Sequence, residues 1–212
     1  MSRFSLDADS PFMRILAQVG DLMLVNILFL FCSLPVVTAG ASAAALYTVT
    51  LGMARHDSAH AGKTFLRAFK SNLPQATVLT LLFLAVGAGL YAGLRVMQAN
   101  PAAFPFVFRV GFGVFTVVYL LTLSFTFPIQ ARFSNTVWKT LKNAFLLAAT
   151  HPLRALLITL CTLLPFGLLV FATYYFLLSS VFWFLFGFSC LALLNSVFFT
   201  RMFRKVSGDA TA

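Results

Sequence analysis

Apolar positions run through this chain in six long blocks, at about 15–35, 38–54, 74–97, 105–131, 153–178 and 181–200, with short polar breaks between them. A helix crossing the hydrocarbon layer needs about 20 apolar residues, and each block comes close to that length. The pattern predicts an all-α, polytopic membrane bundle. Its six transmembrane helices form three out-and-back hairpins, with short amphipathic interfacial helices on one side. The whole chain, 1–212, reads as a single integral membrane domain.

The blocks differ in texture. Ser10-Pro11 predicts a helix start, a capping hydroxyl followed by proline at the first helical position. Phe12, Ile15, Leu16 and Val19 then share one face, with Arg14, Gln18 and Asp21 on another. The second block is built from small residues, Ala39 to Ala45. Small side chains permit close helix approach, so this span is expected inside the bundle. Ala85, Gly89 and Gly93 in the third block suggest another close-packing stripe. Pro165 and Gly167 predict a kink in the fifth, and Ser179-Ser180 a tight return.

Two polar connections carry most of the charge. In 55–72, Lys63, Arg67 and Lys70 form one basic stripe, opposite Phe65, Leu66, Phe69 and Leu73. This is the pattern of a helix lying flat on a membrane surface, with Pro74 opening the next span. The second connection, 132–152, carries Arg132, Lys139 and Lys142. Thr64 to Phe69 and Thr140 to Phe145 share three residues in six. Both segments precede a proline and a span, which points to a weak parallel repeat.

Composition agrees with lipid as the solvent. The chain is 60% hydrophobic and 9% charged, where a soluble domain carries roughly 25% charged residues. The net charge of +10 would suggest nucleic acid in a soluble protein. Here the cations sit at helix ends and in loops, so anionic lipid headgroups are the simpler partner and no nucleic acid is expected. One side holds Arg3, Arg14, Arg55, Lys63, Arg67, Lys70, Arg132, Lys139, Lys142, Arg154, Arg201, Arg204 and Lys205; the other holds only Arg95 and Arg109. Positive charge marks the cytoplasmic side, so both termini are expected there. The N-terminus lacks the basic start of a signal peptide, with Asp7 and Asp9 in its place, so the first helix is expected to be retained.

Asn26-Ile27-Leu28-Phe29 followed by Ser33-Leu34-Pro35-Val36-Val37-Thr38-Ala39-Gly40 and the small run to Tyr47 resembles the YesL-like family of small bacterial membrane proteins. The family pattern has an Asn in the first helix, a Leu-Pro-x-x-Thr-x-Gly turn and a small-residue helix. Phe65-Leu66-Arg67-Ala68-Phe69-Lys70-Ser71-Asn72-Leu73-Pro74 resembles its second block. The resemblance covers about 22–77. It implies no established activity. Family members tend to be encoded beside carbohydrate uptake systems and glycoside hydrolases, which implies a role near sugar import by association.

Candidate chemistry is sparse. A proline ahead of Thr-x-Gly-x-Ser would interrupt helical hydrogen bonding, and irregular backbone at membrane depth survives only when buried or lining a wet cavity. Asn26, Thr38, Ser42 and Tyr47 are therefore a candidate polar pocket. The competing reading is a packing element whose hydroxyls satisfy their own backbone. Asn26, Gln130 and Asn195 are either interhelical glue or ligand contacts. Lys63, Arg67, Lys70, Lys139 and Lys142 are candidates for docking lipid or a partner. His56 and His60 flank Asp57 without a third or fourth metal ligand, and Cys32, Cys161 and Cys190 share no metal spacing. No metal, cofactor or catalytic set is expected, and no enzyme activity. Arg95 and Arg109 either attract an anion or snorkel to headgroups.

Two functions follow from different classes. One is an accessory or regulatory component associated with a carbohydrate uptake system. The alternative is a small stand-alone transporter or channel working as a homo-oligomer. The chain has no Glu, and no Asp lies at mid-membrane, where a proton- or sodium-coupled carrier usually places a carboxylate.

Overall fold

The computed structural model describes residues 11–55, 60–133 and 135–207. The described residues are helical throughout, with no strand among them. Helix α1 (Pro11–Ser33) is followed by a 3₁₀ turn at Val36–Thr38 and by α2 (Ala39–Met53). The long α3 (Ala61–Ala99) pairs with α4 (Phe106–Arg132). Next come α5 (Val137–Thr150), α6 (Pro152–Phe171), the short α7 (Thr173–Leu178) and α8 (Ser180–Phe182). A π-helical turn, Trp183–Gly187, joins α8 to α9 (Phe188–Ser207). Six of these stretches are long and apolar enough to cross a membrane.

Helix α2 is the hub, packing against α1, α3, α4 and α9. Gly40, Ala41, Ser42, Ala44 and Ala45 are all buried. A methyl group placed on Gly40 would overlap Thr80 Oγ1 and the Phe127 ring, so α3 and α4 approach α2 as closely as glycine allows. Below this layer the side chains grow. Tyr47 meets Phe199 edge-on with ring centroids 6.0 Å apart, and Phe199 meets Phe125 at 5.0 Å. Such pairs add about 0.5–1.5 kcal/mol beyond their buried area.

Several local expectations need correction. The basic segment at 63–72 is not a separate helix lying on a surface. It is the first part of α3, which runs unbroken through Pro74. At 39 residues α3 is about 58 Å long, almost twice the hydrocarbon thickness of about 30 Å. Packing explains the continuity. Ala61, Phe65, Ala68, Ala76, Leu79 and Phe83 form one buried stripe, so the same face is held by the bundle on both sides of the proline. Phe65 is fully buried in protein, while Lys63, Arg67 and Lys70 stay exposed.

The repeated segments are consequently built differently. The first is continuous with its span; in the second, His151 separates α5 from α6. The fifth span is interrupted at Ala172, with φ −138° and ψ 48°, seven residues after Pro165. The expected stripe of Ala85, Gly89 and Gly93 is not a packing seam. Ala85 and Gly89 are exposed, Gly93 faces the Phe112 ring, and Gly87 faces the Tyr119 hydroxyl. The Ser10 cap lies outside the described residues, and α1 begins at Pro11.

Candidate functional site

The four residues of the expected polar pocket do not converge. Asn26 is fully buried, and its side chain is spent on the π turn. The amide Nδ2 donates to the carbonyls of Trp183 (3.1 Å) and Phe184 (2.6 Å), and Oδ1 accepts from the Ser189 N–H at 2.9 Å. A π turn puts the α-helical ladder out of register. The Ser189 N–H is thereby offered sideways, and α1 supplies the acceptor. In hydrocarbon an unpaired backbone group costs several kcal/mol, so one asparagine makes this irregularity tolerable.

Thr38 and Ser42 satisfy backbone nearby. Thr38 Oγ1 lies 2.7 Å from the Cys32 carbonyl and 2.9 Å from that of Pro35, closing the turn between α1 and α2. Ser42 Oγ donates to the Thr38 carbonyl at 3.2 Å. Tyr47, the fourth, lines a cavity.

That cavity, about 380 Å³, lies between α2, α3, α4, α6 and α9. Ala39, Gly40, Ala43, Leu46 and Tyr47 form its α2 wall, a spacing that follows one helix face. Leu84, Leu123, Phe127, Leu163, Phe166 and Leu191 make most of the rest apolar. Polar groups are present, but most are already committed. The hydroxyls of Thr80, Ser124 and Thr162 donate to carbonyls one turn back, and Tyr119 donates to the Phe83 carbonyl at 2.9 Å. Asn195 remains. Its Nδ2 donates to Tyr47 OH at 3.3 Å and Thr162 Oγ1 at 3.2 Å, while its buried Oδ1 has no partner among the described residues. Thr162 and Ser124 carried no sequence signal, because a hydroxyl that bonds its own helix looks the same in sequence as one that lines a site.

Asn195 joins α9 to α2 and α6. Gln130 reaches the Asn72 carbonyl at 3.5 Å, and Thr50 bonds Ser196 at 2.8 Å. The five basic candidates Lys63, Arg67, Lys70, Lys139 and Lys142 are all exposed. On α5 the two lysines share the exposed surface with Trp138 and Phe145, opposite buried Thr140, Ala144, Leu147 and Ala148. Of Arg95 and Arg109, the latter is engaged by its own loop, donating to the Phe104 and Pro101 carbonyls. His56 and Asp57 lie outside the described residues; within those, no three His, Cys, Asp or Glu side chains are grouped for a metal.

Fold and site together define a polytopic α-helical membrane protein organised around a central small-residue helix. Its residues 22–94, from α1 through most of α3, match a family described as Protein of unknown function, DUF624, to which the YesL-like proteins belong. The match takes in Asn26, the Thr38 turn, the α2 wall of the cavity and the basic start of α3. No curated protein and no solved structure matches the chain.

Proposed function

We propose that this protein is an accessory or regulatory component of the bacterial cytoplasmic membrane, associated with carbohydrate uptake and without catalysis of its own. The observation that carries the accessory reading is the chemistry of the cavity. A sugar needs many hydrogen-bond partners, since each buried unpaired hydroxyl costs about 1–3 kcal/mol. The cavity hydroxyls of Thr80, Ser124, Thr162 and Tyr119 already donate to helix carbonyls. The bundle centre is also filled by α2 and the Tyr47–Phe199–Phe125 stack. Both features weigh against the alternative of a stand-alone oligomeric transporter or channel. The link to carbohydrate uptake rests on the family resemblance.

The excess of thirteen cations against two supports an orientation with both termini in the cytoplasm. The exposed lysines and arginines at that end are suited to anionic headgroups, each contributing on the order of 1 kcal/mol near such a surface. Two experiments test the proposal. A reporter active only outside the cytoplasm, fused after Ala212, should stay silent; strong activity overturns the orientation. Deletion of the protein should lower uptake of a sugar through a separate permease, and purified protein in vesicles should move no sugar alone. Sugar flux through the protein alone would establish the transporter reading instead.

A further inference from the structure

We propose that α5 is an interfacial helix that binds anionic phospholipid, with the Trp138 and Phe145 rings at the headgroup boundary and Lys139 and Lys142 on the phosphates. This names the helix and the lipid class behind the headgroup reading above, on which it rests, and it needs no sugar-uptake partner.

Tethering decides where α5 can lie. It has 14 residues and is about 21 Å long, too short to cross a hydrocarbon layer of about 30 Å. Its neighbours along the chain, α4 and α6, are both candidate spans. Helix α4 ends at Arg132 and α5 begins at Val137; His151 alone stands between α5 and Pro152, where α6 starts. Both ends of α5 are therefore held at one membrane surface. Its body is held as well, since Gln75 Nε2 donates to Thr140 Oγ1 at 3.2 Å, beside Pro74, where the apolar part of α3 opens. A helix fixed at these points lies along the surface.

Side chains decide what α5 meets there. Thr140, Ala144, Leu147 and Ala148 are buried against the bundle. On the opposite side Trp138, Lys142 and Phe145 follow at i, i+4 and i+7, one stripe along the helix, with Lys139 and Leu146 beside it. Trp138 is 76% exposed, and Phe145 and Leu146 are 47% exposed. Tryptophan favours the membrane–water boundary, where its apolar rings and its polar N–H are both accommodated. The helix carries two cations and no acid, so the complementary headgroup is anionic. The basic start of α3 lacks this combination. Lys63, Arg67 and Lys70 are exposed there, but Phe65 is buried and Phe69 half-buried.

The test reads Trp138 directly. The chain has two tryptophans, and Trp183 is buried, so Trp183→Phe leaves Trp138 as the sole reporter. The full-length variant is reconstituted in vesicles of phosphatidylcholine and phosphatidylglycerol, one or other lipid brominated high on its acyl chains. Brominated lipid should quench Trp138, and aqueous acrylamide should not. Brominated phosphatidylglycerol should quench about fivefold more effectively than brominated phosphatidylcholine at equal mole fraction, the ratio for about one basic residue near an anionic surface. The double variant Lys139→Gln, Lys142→Gln should keep the quenching and lose the preference. If Trp183→Phe does not fold, the emission lost in Trp138→Phe isolates the same signal on the otherwise natural chain. Trp138 open to acrylamide and untouched by brominated lipid overturns the proposal in favour of an acidic soluble partner. Equal quenching by the two lipids, or a preference that survives loss of both lysines, overturns the anionic selectivity. Both vesicle leaflets carry both lipids, so none of these outcomes depends on the orientation, which the fusion after Ala212 decides, or on the uptake link, which the deletion decides.

Discussion

Helix α2 and the outer half of the α3–α4 hairpin are both apolar enough to cross a membrane, yet the structure treats them as opposites. In α2 the residues from Gly40 to Ala45 are almost all buried. In the hairpin, Phe106 and Val107 are each 79% exposed, and Val114 and Phe115 more than half exposed. Hydrophobicity does not separate the two, because lipid solvates a leucine as well as a protein interior does. Size separates them. Helices associate in a bilayer through close contact of backbones, so a run of small residues goes to the centre and bulky chains face outward. Isolated glycines do not suffice. Gly111 and Gly113 in α4 have no atom within reach of an added Cβ.

The largest predicted effect tests that contrast directly. Gly40→Leu should collapse the α2–α3–α4 seam, costing about 3 kcal/mol or more in the folded bundle, seen as lost monodisperse yield and a lower melting temperature. Gly113→Leu, the same substitution on the outer hairpin, should change stability by under about 0.5 kcal/mol. Equal loss from both would show that size does not sort these helices.

Next is Asn26→Leu. It removes two hydrogen bonds to the π turn and one from Ser189 at the start of α9 and should cost about 1–3 kcal/mol through the stranded Ser189 N–H, with faster amide exchange confined to 183–189. A melting curve unchanged from the natural protein would mean that the turn satisfies itself. Tyr47→Phe should be milder, about 0.6 kcal/mol, the average for one interhelical bond in a membrane protein, because the ring keeps its contact with Phe199. The smallest effect is expected at Val107→Ala, within about 0.5 kcal/mol of zero; a larger one would reveal that the outer hairpin is covered by protein.

Much of the architecture is legible without coordinates. Six spans, their order and the central place of α2 follow from run length and side-chain size, both local properties of the chain. The charge asymmetry is legible too, since it depends only on counting. Failures occurred wherever two segments had to meet. Pro74 looked like a helix start, but the buried face of Phe65, Ala68 and Ala76 holds α3 straight through it, and no property of a proline announces that support. Asn26 could be read as glue or as ligand contact; its partners lie 157 and more residues away, on the π turn and the start of α9.

The cavity shows the same division. The residue types of its α2 wall stand in order in the sequence, but whether Tyr47 would meet Thr162 and Asn195 depends on how α6 and α9 dock. Hydroxyls that bond their own helix are indistinguishable in sequence from those left for a ligand. The chain by itself determined which segments enter the membrane and which of them can approach closely, because hydropathy and size act residue by residue. Tertiary structure alone decided which polar atoms are spent and which, like Asn195 Oδ1, are left over, because a hydrogen bond requires two partners and the sequence names them one at a time.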